Sequence, residues 1–341
     1  MQVICHPEQR RHYPPHFLVN GVFQPNPEVP ERQDCLLRAA LDAGCRHEMP
    51  LLHGMEPIAA IHTDAYLAFL ERAWERWSRI SNAAPAVTPN IHPDRRDCGY
   101  PASVVAQAGY HMADASAPLA AGSWDSMLWS AWSAVHAARL VRNGEPAAYA
   151  LCRPPGHHAF ADMAGGFCYL NNTAIAAQVL RRNHPRVAIL DVDLHHGNGT
   201  QEIFYRRGDV LTVSIHADPE RFYPFFWGWA NETGEGEGSG CNLNLPLARG
   251  SGDAEFLGSL ETGIKRVQDF APGALVVALG LDASEHDPFG GLAVSTAGFG
   301  EIGRRIGAEL KLPTVIVQEG GYLCDALGGN LRNFLEGFGN A

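Results

Sequence analysis

The sequence predicts an α/β fold, a mostly parallel central sheet flanked by helices on both faces. Three observations carry that reading. From Ser123 to the C-terminus, short apolar runs rich in β-branched residues alternate with stretches of helical periodicity, the pattern of strand–helix–strand units. One such run, Val187-Ala-Ile-Leu-Asp191, is apolar without interruption until its last residue, as in a strand buried on both faces. Asp, His, Tyr and Gly residues gather just after these runs, at the carboxyl edge where open α/β sheets bind ligands.

Taken in order, Met1-Gln-Val-Ile-Cys5-His6-Pro7 opens as a short first strand. Arg10 to Pro30 is rich in Pro, His and aromatics, lacks a period, and reads as a long ordered loop. A helix runs from Pro30-Glu31-Arg32 to about Leu41, and a second from Asp64 to Trp77 with Asp64 as its cap. Ser81 to Pro118 carries Pro85, Pro89, Pro93, Pro101 and a charged Asp94-Arg-Arg-Asp97 turn. An aperiodic stretch of that length is functional or disordered, and Tyr100 and Tyr110 favour an ordered insertion, at about 81–122. The regular part then predicts helix Ser123–Arg142, strand Ala147–Leu151, helix Asn172–Arg181, strand Val187–Asp191, helix Thr200–Tyr205 and strand Val210–His216. Helix Ala254–Phe270, strand Ala274–Gly280, helix Thr296–Leu310, strand Thr314–Gln318 and helix Asn330–Phe338 follow. No repeat or linker divides the chain, so one domain over 1–341 is expected.

Composition narrows the function classes. No stretch approaches the roughly 18 continuous apolar residues of a membrane helix, and the N-terminus lacks a basic region followed by an apolar core. A cytoplasmic protein without membrane association is expected. Net charge is −11, from 26 basic and 37 acidic residues. Such a surface repels phosphate backbones, which argues against nucleic acid, and favours cationic ligands, although solubility alone asks for the same charge. None of the eight cysteines forms a C-x-x-C pair, so they read as reduced small hydrophobes and not as metal ligands.

The chemistry sits at four strand ends. Strand Ala147–Leu151 leads to Cys152-Arg-Pro-Pro-Gly156-His157-His158, and Val187–Asp191 leads to Val192-Asp193-Leu-His195-His196. Ala274–Gly280 leads to Leu281-Asp282 and on to Asp287-Pro288, and Thr314–Gln318 leads to Glu319-Gly-Gly-Tyr322. Continued alternation puts Asp191, Asp193 and His195 on one side and turns His196 away. Buried carboxylates need a positive partner, and Asp193, His195 and Asp282 form a sulfur-free set suited to zinc, ferrous iron, cobalt or manganese, with a position left for water. Any one of these residues alone is more often a capping Asp or a satisfied core His. The set is not. His157 and His158 suit proton transfer, Asp191 can orient one of them, and Tyr322 can donate to a polarised carbonyl.

As a set, Arg153-Pro-Pro-Gly-His-His158, Gly165-Gly-Phe-Cys-Tyr-Leu-Asn-Asn172, Asp191-Val-Asp-Leu-His-His-Gly-Asn-Gly-Thr200, Gly280-Leu-Asp282, Asp287-Pro288 and Glu319-Gly-Gly-Tyr322 resemble the histone deacetylase/acetylpolyamine amidohydrolase superfamily. The resemblance runs from about Ile61 to the C-terminus and implies an arginase-like fold with a zinc-dependent deacylase site. It makes Asp193, His195 and Asp282 the zinc ligands, with Fe2+ or Co2+ as substitutes. It makes His157 and His158 the tandem catalytic histidines, Tyr322 the carbonyl-polarising tyrosine, and Asp191 and Asn198 the groups behind the two histidines. Asn198 stands where some members carry Asp, as in the class II and acetylpolyamine branches. Gly166, Phe167 and Tyr223 fall at the acyl tunnel. Asp191, Asp193, His195, Ser214 and Ile215 fit an inner structural potassium site, and Phe204, Arg207 and Val210 an outer one.

Length, Trp124 after the insertion, and His216-Ala-Asp-Pro219 look most like the acetylpolyamine branch. That branch pairs subunits through the insertion, which implies a homodimer and a small cationic acetylated amine as substrate. Asp94, Asp97 and Asp114 are acids able to meet a distant ammonium. An acetyl-lysine protein deacetylase is the alternative. An arginase or agmatinase with two metals would need a carboxylate where Ser284 stands, and a silent binding module would have lost a ligand, a histidine or the tyrosine.

Overall fold

The structure, a computed structural model, describes all residues except 20, 95 and 96, so both arginines of the expected Asp94–Asp97 turn lie outside the described residues. The strands are β1 (Gln2–Ile4), β2 (His16–Val19), β3 (Val22–Pro25), β4 (Arg46–Glu48), β5 (Ala147–Ala150), β6 (Val187–Asp191), β7 (Val210–Ala217), β8 (Asn242–Leu247), β9 (Ala274–Leu279) and β10 (Thr314–Gln318). The helices are α1 (Glu31–Asp42), α2 (Glu56–Ala59), α3 (Asp64–Trp77), α4 (Val104–His111), α5 (Ser123–Arg142), α6 (Asn172–Leu180), α7 (Asn198–Phe204), α8 (Asp253–Phe270), α9 (Thr296–Leu310) and α10 (Leu327–Gly339).

Eight strands form the central sheet in the order β4-β1-β5-β10-β9-β6-β7-β8, parallel at every pairing. Alternation along β6 explains its all-apolar sequence. Val187 and Ile189 face a core shared with α3, α5 and α6, while Ala188 and Leu190 face one shared with α1, α8, α9 and α10. Both faces are covered, as a parallel sheet requires. The order also makes β5, β10, β9 and β6 neighbours, so the four polar strand ends meet at one edge.

Three expectations change. The stretch 10–30 is not a loop throughout: β2 and β3 pair antiparallel, with Gly21 at φ +77° between them. Thr63 occupies the cap position of α3, and Asp64 is the first helical residue, where its charge still faces the positive end of the helix dipole. β4 and β8 add the two sheet edges; β4 is three polar-to-intermediate residues, and β8 carries Pro246, which an edge tolerates. The insertion contains α4, and after it the chain delivers Ala113 and Asp114 to the cavity described below.

Candidate active site

β6 ends where its own side chains begin to capture the backbone. The Asp193 N–H donates to Asp191 Oδ1 at 3.1 Å, and the His195 N–H donates to Asp193 Oδ1 at 2.8 Å. Aspartates that bond the backbone two residues on make turns, not strand. Strand alternation therefore stops at Asp191, and these turns, not a continued pleat, aim Asp193 and His195. His196 does point elsewhere, packing 4.7 Å from the buried His216 ring.

Asp193, His195 and Asp282 converge, with one ligand atom from each lying within 4.8 Å of the others. His195 Nδ1 is 3.1 Å from Asp282 Oδ2 and 3.3 Å from Asp193 Oδ1. Both carboxylates are fully buried. The Gly320 N–H donates to Asp193 Oδ2 at 2.8 Å, and the Leu194 N–H donates to Asp282 Oδ1 at 3.0 Å. A Cβ on Gly320 would lie 2.2 Å from Asp282 Oδ2, and one on Gly280 would lie 2.1 Å from Asp193 Oδ2, so glycine is needed at both. Two buried carboxylates and an imidazole, packed this closely, suit a divalent cation. His157, Cys168 and Glu319 form a second close group. There the Glu319 oxygens are occupied by the Gly156 and His157 N–H groups (2.6 and 3.0 Å) and the Thr173 hydroxyl (2.6 Å), so that carboxylate is an anchor and not a free ligand.

The two histidines have unlike partners. His157 Nδ1 donates to Asp191 Oδ2 at 3.0 Å, and His158 Nδ1 donates to Asn198 Oδ1 at 2.7 Å; their ring centroids are 4.0 Å apart. Burial disfavours the charged form of both rings. For His157 the charges of Asp193 and Asp191 outweigh it and push the ring up to about 10. For His158 burial is reinforced by His157 and His195, which holds the ring well below the ordinary histidine range. His158 is neutral, with Nε2 free to accept a proton.

Tyr322 is held from three sides. Its N–H donates to Asp287 Oδ2 at 2.9 Å, and Arg32 lies 5.0 Å over its ring while donating to the carbonyls of Gly321 (2.6 Å) and Glu319 (2.9 Å). Burial, then Asp282, push its hydroxyl well above 10, so it remains a donor. Tyr322, His157, His158, Asp193, His195 and Asp282 line a cavity of about 750 Å³ whose walls include Phe167, Phe222, Tyr223 and Phe289. Phe167 has φ +66°, and a Cβ on the adjacent Gly166 would lie 2.5 Å from His158 Cδ2. The Tyr223 hydroxyl donates to Asp114 Oδ2 at 2.6 Å.

Among the three acids considered for an ammonium, Asp114 alone lines the cavity, and it also accepts the Ser116 and Gly166 N–H groups. Asp94 and Asp97 are exposed and do not line it. Of the potassium candidates, Ser214 pairs with Asp191 across β6 and β7 and its Oγ lies 2.8 Å from His216 Nδ1. Arg207 stands over the Phe204 ring at 5.0 Å, and Val210 begins β7. Phe222, stacked on His195 at 5.3 Å, and the support Arg32 had no local sequence signal as site residues; only tertiary contacts reveal them.

The histone deacetylase domain family matches residues 26–338. The chain belongs to the histone deacetylase family. This deacetylase-family chain is 50% identical over 340 residues to the acetylpolyamine amidohydrolase of Burkholderia pseudomallei, covering 99% of each. It is 44% identical over 338 residues to acetylpolyamine amidohydrolase 1 of Pseudomonas aeruginosa, covering 98% of this chain and 97% of that one. The crystal structure of the acetylpolyamine aminohydrolase from Burkholderia pseudomallei superposes with a TM-score of 0.97 at 49% identity, over 99% of this chain and 98% of that one. Deacetylases of this family depend on a metal ion, and the buried Asp193, His195 and Asp282 offer one a site.

Proposed function

We propose that the chain hydrolyses N-acetyl amides, acetylated polyamines and diamines foremost, to acetate and the free amine. The observation that carries this reading is the unlike histidine pair beside Tyr322 and the three-ligand cluster in one aromatic cavity. Zinc held by Asp193, His195 and Asp282, or Fe2+ or Co2+ in its place, would supply a Lewis acid for the acetyl carbonyl and acidify the attacking water. His158 Nε2 takes the proton from the attacking water and returns it to the departing amine, a role worth about 10²–10⁴ in rate. His157, charged against Asp191, stabilises negative charge developing on the carbonyl oxygen, and the Tyr322 hydroxyl donates to that oxygen. Phe167, Gly166 and Tyr223 shape the passage for a slender acyl-amine.

The polyamine preference is supported by the names of the relatives and by the net charge of −11. Structural potassium belongs in the same proposal, at Asp191, Asp193, His195, Ser214 and Ile215 and at Phe204, Arg207 and Val210. So do a single domain, cytoplasmic location and a homodimer joined through the 81–122 insertion. An acetyl-lysine peptide is the competing substrate. The test is kcat/KM over acetylated diamines, polyamines and acetyl-lysine peptides, with metal counted per chain. Chelator-sensitive turnover favouring the small amines, at one catalytic metal per chain, is expected; a preference for peptides, or two metals, would overturn it.

A further inference from the structure

The outer end of the cavity carries charge that the acetyl chemistry does not use. Arg221 and Arg249 both line it, and neither guanidinium has a hydrogen-bond or ion-pair partner among the described residues. They come from adjoining loops. The Asp218 N–H donates to the Leu247 carbonyl at 2.9 Å, so Arg221, three residues past the first, and Arg249, two past the second, leave the sheet at the same edge. That edge is beside Phe222, whose ring stacks on His195. Asp218 and Glu220, the acids nearest Arg221 in sequence, do not line the cavity. Asp114 does, but it is half-buried and already accepts from Ser116, Gly166 and Tyr223. The cavity that holds Tyr322 is thus also lined by two guanidiniums with no partner among the described residues, able to meet the far end of a bound acetamide.

We propose that the enzyme also takes acetylated amines that end in a carboxylate, the ω-acetamido carboxylic acids, with Arg221 and Arg249 binding the carboxylate. The inference rests on the deacylase reading above and adds a second substrate class to it. Guanidinium suits this task because its planar fork matches a carboxylate in two parallel hydrogen bonds. Both side chains are solvent-exposed, so each contributes a modest factor, roughly two- to fivefold, and the effect weakens with salt.

The experiment measures kcat/KM of the metal-loaded enzyme on ω-acetamidoalkanoates of about four to eight carbons. N-acetylalkylamines and mono-N-acetyl diamines of matching length serve as neutral and cationic references. At the best length the carboxylate should exceed the neutral amide by roughly tenfold at low salt. That ratio should fall toward one in R221Q/R249Q and on adding salt, while the diamine-to-neutral ratio rises in the variant. The single variants R221Q and R249Q, each lowering the ratio part-way, serve if the double variant is unstable. A carboxylate that never exceeds the neutral amide, or a ratio unmoved by the substitutions, overturns the inference. Absence of turnover on all three series would instead overturn the deacylase reading, so the two failures are distinguishable.

Discussion

Truncating the Glu319 side chain should disable the histidine pair without altering any group that contacts substrate. The side chain is fully buried, with Oε2 accepting the Gly156 and His157 N–H groups at 2.6 and 3.0 Å and Oε1 accepting the Thr173 hydroxyl at 2.6 Å. In Glu319→Ala the hydroxyl can rotate to another acceptor, but the two backbone donors cannot. Each buried donor left unpaired costs about 1–3 kcal/mol, so about 2–6 kcal/mol is lost, a large share of a typical total of about 5–15 kcal/mol. Glu319→Gln keeps an oxygen for both N–H groups and turns its amide toward Thr173, which can accept; it loses only charge. That loss should be small, because burial pushes the wild-type carboxyl up to about 7 against the lowering effect of His157 and Thr173. The sign follows: the folded state holds a proton that the unfolded state releases near 4.5, so wild-type stability falls as pH rises from about 4.5 to 7 through this group, and Gln abolishes that slope. Denaturant melts at pH 5 and 8, with kcat on an acetylated diamine, are the assay. Expected are a Gln variant near wild type and an Ala variant that is destabilised and slow. Equal stability and turnover for Ala and Gln would refute the reasoning.

Three further outcomes follow from the same geometry. Tyr322→Phe removes the donor to the carbonyl oxygen and should lower kcat by about 10²–10³ with metal content unchanged; retained turnover would remove Tyr322 from the chemistry. Asn198→Asp puts a negative charge 2.7 Å from His158 Nδ1, raising the ring and moving the acid limb of kcat/KM to higher pH, because the ring then stays protonated longer; a limb that does not move would break the His158–Asn198 link. Gly320→Ala forces a Cβ against Asp282 Oδ2 at 2.2 Å and Asp193 Oδ2 at 2.7 Å and should weaken metal binding about 10–100-fold in chelator competition; undiminished affinity would place the ligands elsewhere.

Local chemistry explains what the sequence discloses. β6 is legible because a strand buried on both faces must be apolar throughout, and its pairing with β9 and β7 keeps it so. The clustering of Asp193, His195 and Asp282 is legible because Asp and His are costly to bury without a cation. β4 is not legible: three residues, Arg46–Glu48, add an edge to β1 with hydrogen bonds that any side chain would permit. Nor is the aim of Asp193 and His195, since side-chain-to-backbone turns replace the pleat after Asp191. Phe222 and Arg32 belong to the site through contacts with residues far away in the chain, and no period or motif around them signals it.

The tandem histidines show how far two identical neighbours can be driven apart. Both rings are buried, so desolvation alone would make both neutral. His157 escapes because Asp191 bonds its Nδ1 and Asp193 lies 3.8 Å from its Nε2. His158 does not, because Asn198 offers it a carbonyl and no charge. The charge on His157 then opposes protonation of His158, so each ring's state enforces the other's. One residue type repeated in sequence thus becomes one ring that favours its charged form and one that stays neutral, and the carboxylate of Asp191 against the amide of Asn198 decides which is which. An aspartate there would draw a proton onto His158 and leave the site without a neutral base at moderately acidic pH.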